Sequence, residues 1–334
     1  MKKRLESRRI LYVYTGNHPV HKAFAETITK NSVKYSKSLE SDYDIYFCEG
    51  IYAQLIIMRS VGKLNKNAKI ITLFADPRLY YLYKRKQFNQ NTKSIVTMPY
   101  IKALFAKKLL RKLDGAICTG SMNYNLFKKW NRKNPAEIIA PYISTKRFKQ
   151  LFDVKPKLNN NRILYVGNGP DEYCKGLGIL IKTFIKIKKA LPDAELWIYG
   201  SHWDKNKFQK VPGLYFYGKK DITFGLRRCS LLVHLGQGEG YGIDVLESML
   251  AGVPVIVSDA TGARDAVARI KKDFIVPLNE DEASKRIKDY FSMSFAERKK
   301  IGLEFKEEAK KYNKKSSLDN FKKAFDLLIN KIYG

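Results

Sequence analysis

Cysteine is scarce in this chain of 334 residues, and its four positions, Cys48, Cys118, Cys174 and Cys229, stand far apart. Without a paired short spacing they argue against a disulfide framework and a zinc site, and a reducing cytoplasm is the expected compartment. Long apolar runs are missing too. Gln54 and Arg59 break the run that begins at Ile51, and residues 243–257 carry Asp244, Glu247, Gly252 and Pro254, so no window resembles a membrane span. The apolar stretch after Arg8 and Arg9 stops at Thr15-Gly16-Asn17, too short for the core of a signal peptide, and residues 10–14 read as a buried first strand. The turn Thr15-Gly16-Asn17-His18-Pro19 lacks the Gly-x-Gly-x-x-Gly spacing that seats a dinucleotide pyrophosphate, which argues against a nicotinamide enzyme. Acid is in deficit: 32 Asp and Glu face 63 Lys and Arg, a net charge of +31. Of this, +22 falls on residues 1–160 and +9 on the rest. Such a field attracts an anionic partner: a phospholipid surface, nucleic acid or an acidic acceptor. A lysine-rich solvated surface would produce the same count.

What the chain has in quantity is alternation. Short β-branched and aromatic runs recur between stretches of helical period, the pattern of parallel sheets covered by helices. In the first half, strands are expected at Ile10–Tyr14, Ile45–Cys48, Ile70–Phe74, Gly115–Thr119 and Glu137–Ala140. In the second half they are expected at Ile163–Val166, Glu195–Tyr199, Leu214–Tyr217, Leu231–Leu235, Val255–Ser258 and Asp273–Val276. The join falls near Asp153–Asn161, where Lys155, Pro156, Lys157 and three consecutive Asn interrupt both periods. Two doubly wound α/β domains follow, residues 1–155 and 156–315, with residues 316–334 as a closing helix that packs back toward the first domain. Ligand sites are expected at the carboxyl ends of the strands. Residues 84–97 are polar, cationic and poorly periodic and read as a loop. The following IKALFAKKLLRKL places Ala103, Phe105, Ala106, Leu109, Leu110 and Leu113 largely on one helical face, with lysines and arginine mostly on the other. Such a helix can cover a sheet or lie on an anionic membrane, so residues 84–113 are the candidate membrane contact.

The densest signal is GQGEGYGIDVLESMLAGVPVIVSDATGARD, residues 236–265. It reads as a strand end, a glycine-rich loop, a helix and another strand. Glycines at alternate positions of the loop bare its backbone, so amides at the helix start can approach a phosphate or sugar hydroxyls. Glu239 stands in the loop and Glu247 eight positions later, about two turns into the helix. Two carboxylates at different depths suit a polyol, one taking the paired hydroxyls of a ribose and the other a hexose. On spacing alone, Glu239 could equally cap a turn and Glu247 face solvent. Asp42-Tyr43-Asp44, an Asp-x-Asp string found in some metal-dependent sugar transferases, precedes its strand and reads as a turn.

The string Glu239-Gly240-Tyr241-Gly242-Ile243, then Glu247, Ala251-Gly252-Val253-Pro254-Val255-Ile256 and Asp259 resembles the donor-binding signature of the retaining glycosyltransferases of family 4, in the GT-B superfamily. The resemblance is weaker at Val166-Gly167, Lys175-Gly176, Leu196–Gly200 and the region after Lys314, and in the first half it rests on the order of elements. It implies a GT-B fold of two doubly wound Rossmann-like domains facing across a cleft. It implies a nucleoside-diphosphate sugar as co-substrate, with no cofactor and no metal. Glu239 and the amides of Gly240, Tyr241 and Gly242, with Ile243 in the same block, would hold the donor sugar, and Glu247 the ribose. Lys175 would offset charge growing on the leaving diphosphate. Gly16 would face the pyrophosphate from the first domain.

The chain departs from the family at three places. Asn168 stands where an arginine is usual on the donor side, and Arg264, Arg227 or Arg228 are the candidates to replace it. A His-Asp pair after the third strand is replaced by Ala75-Asp76, so Asp76 could face the acceptor, or the role could pass to His18 or His21. Leu235-Gly236 replaces a common Pro-Ser. Glu239, Lys175, Asp76 and His18 are therefore the catalytic candidates. The implied reaction is front-face attack by an acceptor hydroxyl, the departing phosphate helping to take its proton, with positioning and electrostatics as the protein's share. A lipid or envelope glycan at the inner face of a membrane is the expected acceptor. Transfer to DNA or protein, and a lapsed enzyme that binds nucleic acid, are the alternatives.

Overall fold

The computed structural model describes residues 8–14, 19–28, 33–36, 41–49, 52–76, 107–168, 172–203 and 211–334. The chain divides into two units, one of residues 1–141 with 315–334 and one of residues 142–314.

The first unit is a six-stranded sheet of β1 (Ile10–Tyr14), β2 (Val33–Ser36), β3 (Ile45–Glu49), β4 (Lys69–Phe74), β5 (Gly115–Thr119) and β6 (Ala136–Ile139). The order is β2-β1-β3-β4-β5-β6 and every pairing is parallel. Continuous apolar runs such as Ile10–Val13 and Ile45–Cys48 are buried, as a parallel sheet covered on both faces requires. Its helices include α1 (Pro19–Glu26), α2 (Tyr52–Ser60) and α3 (Gly120–Trp130). The strand β2 was not expected. It has four residues, VKYS, and pairs only with β1 at the sheet edge, and its two apolar positions are too few to mark a strand.

The second unit has β7 (Arg162–Val166), β8 (Glu195–Tyr199), β9 (Leu214–Gly218), β10 (Leu231–His234), β11 (Val255–Ser258) and β12 (Ile275–Val276), in the order β12-β11-β10-β7-β8-β9 and again all parallel. Its helices include α4 (Thr145–Phe152), α5 (Leu177–Ala190), α6 (Ile243–Leu250), α7 (Glu280–Ser292) and α8 (Phe295–Ala309). The last strand is shorter than expected, because Lys272–Phe274 forms a 3-10 turn and only Ile275 and Val276 pair.

The change of unit falls before α4 rather than in the Asp153–Asn161 stretch. That stretch is packed: Val154 and Leu158 are buried, Lys157 N donates to Arg227 O at 3.1 Å, and the Arg298 guanidinium donates to the carbonyls of Leu158 and Asn160. Broken periodicity here marks irregular but packed and bonded backbone, not a linker. The closing helix α9 (Lys314–Tyr333) contributes residues 315–334 to the first unit. Phe321 stacks on Phe24 with ring centroids 4.8 Å apart, and Phe325 meets Phe47 edge-on at 5.6 Å. Gly115 opens β5 beneath Leu328 and Ile332, where a β-carbon would lie 3.1 and 3.0 Å from their side chains.

Candidate functional site

In an open doubly wound sheet, ligands bind beyond the carboxyl ends of the two strands where the winding reverses. In the second unit those strands are β7 and β10, which are neighbours although two strands separate them in sequence. The segments that follow them carry Asn168, Lys175 and Gly176 on one side and Leu235–Gly242 on the other.

Gly176 sets how closely these segments meet. It sits at φ +71° at the start of α5, and a β-carbon there would overlap the Leu235 carbonyl. No other residue allows both the left-handed backbone and that approach. The consequence is an ion pair from Lys175 Nζ to Glu239 Oε2 at 3.0 Å. Gly262 does the same on the other flank: a β-carbon would overlap the Gly240 carbonyl, and Gly262 N donates to Glu239 O at 3.1 Å. The loop bearing Glu239 is thus clamped between the β7 and β11 segments.

Beneath Lys175 lies a second carboxylate. Asp244, in the first turn of α6, is 3.9 Å from Lys175 Nζ and takes 2.8 Å to His234 Nδ1 at the end of β10. Burial alone would raise the Asp244 acid, but an imidazolium at His234, the Lys175 cation and the bond to His234 hold it well below the usual carboxylate range. His234 is itself buried and its Nε2 has no hydrogen-bond partner. Neither residue was singled out from the sequence as part of the site, because an apolar strand ending in His reads as core.

Glu247 faces Arg147. Both its oxygens receive the guanidinium, Nε to Oε1 at 3.1 Å and Nη2 to Oε2 at 3.3 Å, while Nη1 reaches Asp221 at 2.9 Å. Burial pushes the Glu247 acid up in spite of that pairing. Arg147 comes from α4, which Ser144 caps. Among the arginines considered from the sequence, Arg264 donates to the Asp259 carbonyl and Arg228 lies over the Phe224 ring. The guanidinium beside Glu247 is one that no spacing indicated, since a hundred positions separate the partners.

The remaining candidates divide. Tyr241 is buried, and its phenol is pushed well up by burial and by Tyr312, so its side chain belongs to the packing and only its backbone faces the loop. Ile243 opens α6, with Gly242 at its N-cap. Asn168 turns its Oδ1 to Ser201, accepting from N at 2.9 Å and Oγ at 3.2 Å, and so braces the loop after β8. In the first unit Asp76 is exposed two residues beyond β4. Gly16 and His18 lie outside the described residues, as do residues 84–106 of the expected membrane contact. His21 is a helical residue of α1 rather than a loop residue, with Nδ1 2.7 Å from Glu49 at the end of β3. Asp42 and Asp44 tie to Arg9 ahead of β3.

Residues 160–292 match the family model of the group 1 glycosyl transferases. The chain is 29% identical over 140 residues to the phosphatidyl-myo-inositol mannosyltransferase of Mycolicibacterium smegmatis, covering 39% of this chain and 35% of that protein. It is 28% identical over 144 residues to a GDP-mannose-dependent alpha-mannosyltransferase of the same organism, covering 42% and 36%. The matches thus span little more than a third of these relatives' length. Among solved structures, sucrose-phosphate synthase of Thermosynechococcus elongatus superposes with a TM-score of 0.67 at 12% identity, over 97% of this chain and 100% of that one. Anabaena HepE, solved with UDP-glucose, superposes with a TM-score of 0.65 at 13% identity, over 96% and 100%. The fold is that of the GT-B glycosyltransferases, two Rossmann-like halves each built on a parallel sheet.

Proposed function

We propose that this chain is a retaining, metal-independent glycosyltransferase that moves a hexose from a nucleoside-diphosphate sugar to a hydroxyl acceptor. The observation that carries the reading is the convergence at the β7/β10 switch point: Lys175 3.0 Å from Glu239, with Glu247 about one turn along the helix that the loop leads into. Lys175 is the cation for the diphosphate, and Glu239 with the amides of Gly240, Tyr241 and Gly242 takes the sugar. Glu247 takes the ribose: its two hydrogen bonds to Arg147 leave further lone pairs for two hydroxyls. The bond from the anomeric carbon to phosphate breaks as the acceptor oxygen attacks from the same face, and the acceptor proton passes to the departing phosphate. The first unit presents the acceptor, with His18 and Asp76 as its candidate residues, and Gly16 is the candidate for the pyrophosphate.

The acceptor proposed is a lipid or envelope glycan met at an anionic surface. Support comes from the first unit's charge and from a groove of about 660 Å³ at the amino ends of β5 and β6, lined by Lys107, Arg111, Lys129, Trp130, Arg132 and Lys133 together with Asn131 and Asn134. Asn131 and Asn134 donate to the Leu110 and Leu113 carbonyls and hold its floor. Among the described residues no helix is long and apolar enough to cross a membrane.

A thermal-shift panel of UDP, GDP, ADP and their sugars tests the donor site, since a ligand of the native state raises Tm. One of them is expected to respond, and Glu247→Ala to weaken that response by roughly tenfold in affinity. No response from any of them removes the reading.

A further inference from the structure

Among the described residues, Lys175 is outnumbered by the carboxylates it faces. Lys175 lies between two carboxylates, 3.0 Å from Glu239 and 3.9 Å from Asp244. With a neutral imidazole at His234 the four side chains sum to one negative charge, and a diphosphate entering beside Lys175 meets net repulsion. With an imidazolium the sum is zero. His234 is placed to make that difference, because it is 1% exposed and its Nδ1 is 2.8 Å from Asp244. Its other nitrogen, Nε2, has no partner and faces the backbone of Gly236, at the root of the loop that bears Glu239. Among the described residues, the groups around it are Asp244 from α6, with Lys175 of the short helix Glu172–Lys175 behind it, Glu239 from the loop, and the uncharged hydroxyls of Ser258 and Thr261, which bond each other at 2.9 Å. Charge in this cluster is poorly screened by solvent.

We propose that His234 is a positioning residue that takes up a proton when a nucleotide sugar binds, so that its imidazolium holds Asp244 and leaves Lys175 to the diphosphate. This rests on the donor-site reading above. His234 does not touch the ligand. It acts through Asp244, which answers to either cation. When His234 is charged, Asp244 is satisfied from below and Lys175 is released toward the phosphates. When it is neutral, Lys175 is the nearest cation for both carboxylates. An imidazole is the side chain suited to such a switch, since it gains or loses one proton while keeping its Nδ1 donor toward Asp244.

The sign follows from linkage. A complex that binds one more proton than its free components weakens as pH rises, by up to about tenfold in affinity per pH unit. The probes are UDP-glucose and GDP-mannose, whose diphosphate diesters keep a fixed charge between about pH 5.5 and 8.5, so that any titration is the protein's. For the wild-type chain, affinity for whichever probe binds is expected to fall across that range. Calorimetry in two buffers of different ionisation enthalpy is expected to show proton uptake on binding, approaching one proton. His234→Gln, which keeps a neutral donor toward Asp244, is expected to bind at every pH with the weak affinity of the wild type at the alkaline end, and without proton uptake. A wild-type chain that binds with no proton uptake overturns the inference while leaving the donor site standing, and this measurement serves even where the variant fails to fold. Unchanged pH dependence in a folded His234→Gln overturns it as well. Failure of both probes at every pH removes the donor reading, and the inference falls with it.

Discussion

At the scale of single residues, the site depends on a few positions where one atom more or less decides the geometry. Gly176→Ala drives a methyl into the Leu235 carbonyl at a backbone angle that only glycine adopts readily. The expected cost is about 2 kcal/mol or more, read from urea unfolding, together with loss of the nucleotide-sugar thermal shift. Arg147→Ala strands a buried carboxylate at Glu247, and a loss of roughly 3 kcal/mol is expected. Since the penalty arises from the unpaired acid, adding Glu247→Ala should recover part of it. A double-mutant cycle that shows no coupling would mean the pair contributes nothing to the fold. Asp244 makes the fold acid-sensitive. Its folded value lies below its ordinary one, so its contribution is complete above about pH 4 and is lost as pH falls further, through the folded value. Tm measured against pH should therefore drop more steeply in the wild type than in Asp244→Asn.

At the scale of elements, the ends of helices are fixed locally and their partners are not. Ser294 and Glu297 form a reciprocal capping box at the start of α8, and Asn279 caps α7 by accepting from Asp281 N and Glu282 N. What α9 packs against is not local. Its aromatic face, Phe321 and Phe325, closes over Phe24 and Phe47, far away in sequence. Phe325→Ala should cost about 3 to 5 kcal/mol in urea unfolding, because a ring in a filled core leaves a cavity. The edge strand β2 shows the opposite case. Four residues with one neighbour carry too little apolar pattern to be read from the chain, and it is the pairing with β1 that makes them a strand.

At the scale of the whole molecule, the dominant quantity is the charge of +31, concentrated in the first half. If it serves an anionic surface, attraction to vesicles rich in anionic phospholipid should fall steeply with salt, and neutral vesicles should not retain the protein. The groove at the amino ends of β5 and β6 is the described surface on which to test it. Arg111→Glu with Arg132→Glu is expected to weaken co-sedimentation about tenfold more than Lys322→Glu with Lys323→Glu, which changes the charge by the same amount elsewhere in the same unit. Equal losses would assign the attraction to bulk charge alone.

The order of strands and helices, the two-unit plan and the glycine-rich loop after β10 were written in the chain, because each is a matter of period, local turn chemistry or contiguous spacing. Glu239 and Glu247 stood out by their spacing, and Lys175 only through the family resemblance. Tertiary structure alone decided which charges these residues meet. Arg147 reaches Glu247, His234 settles beneath Asp244, and Tyr241 turns away into the packing, all through contacts between segments that only the folded sheet brings together. The same contacts drew the boundary between the units. The polar stretch around Asn159–Asn161 has the composition of a linker, yet its backbone is bonded to Arg298 and Arg227, and hydrogen bonds of that kind depend on where a chain returns, not on the residues it passes through.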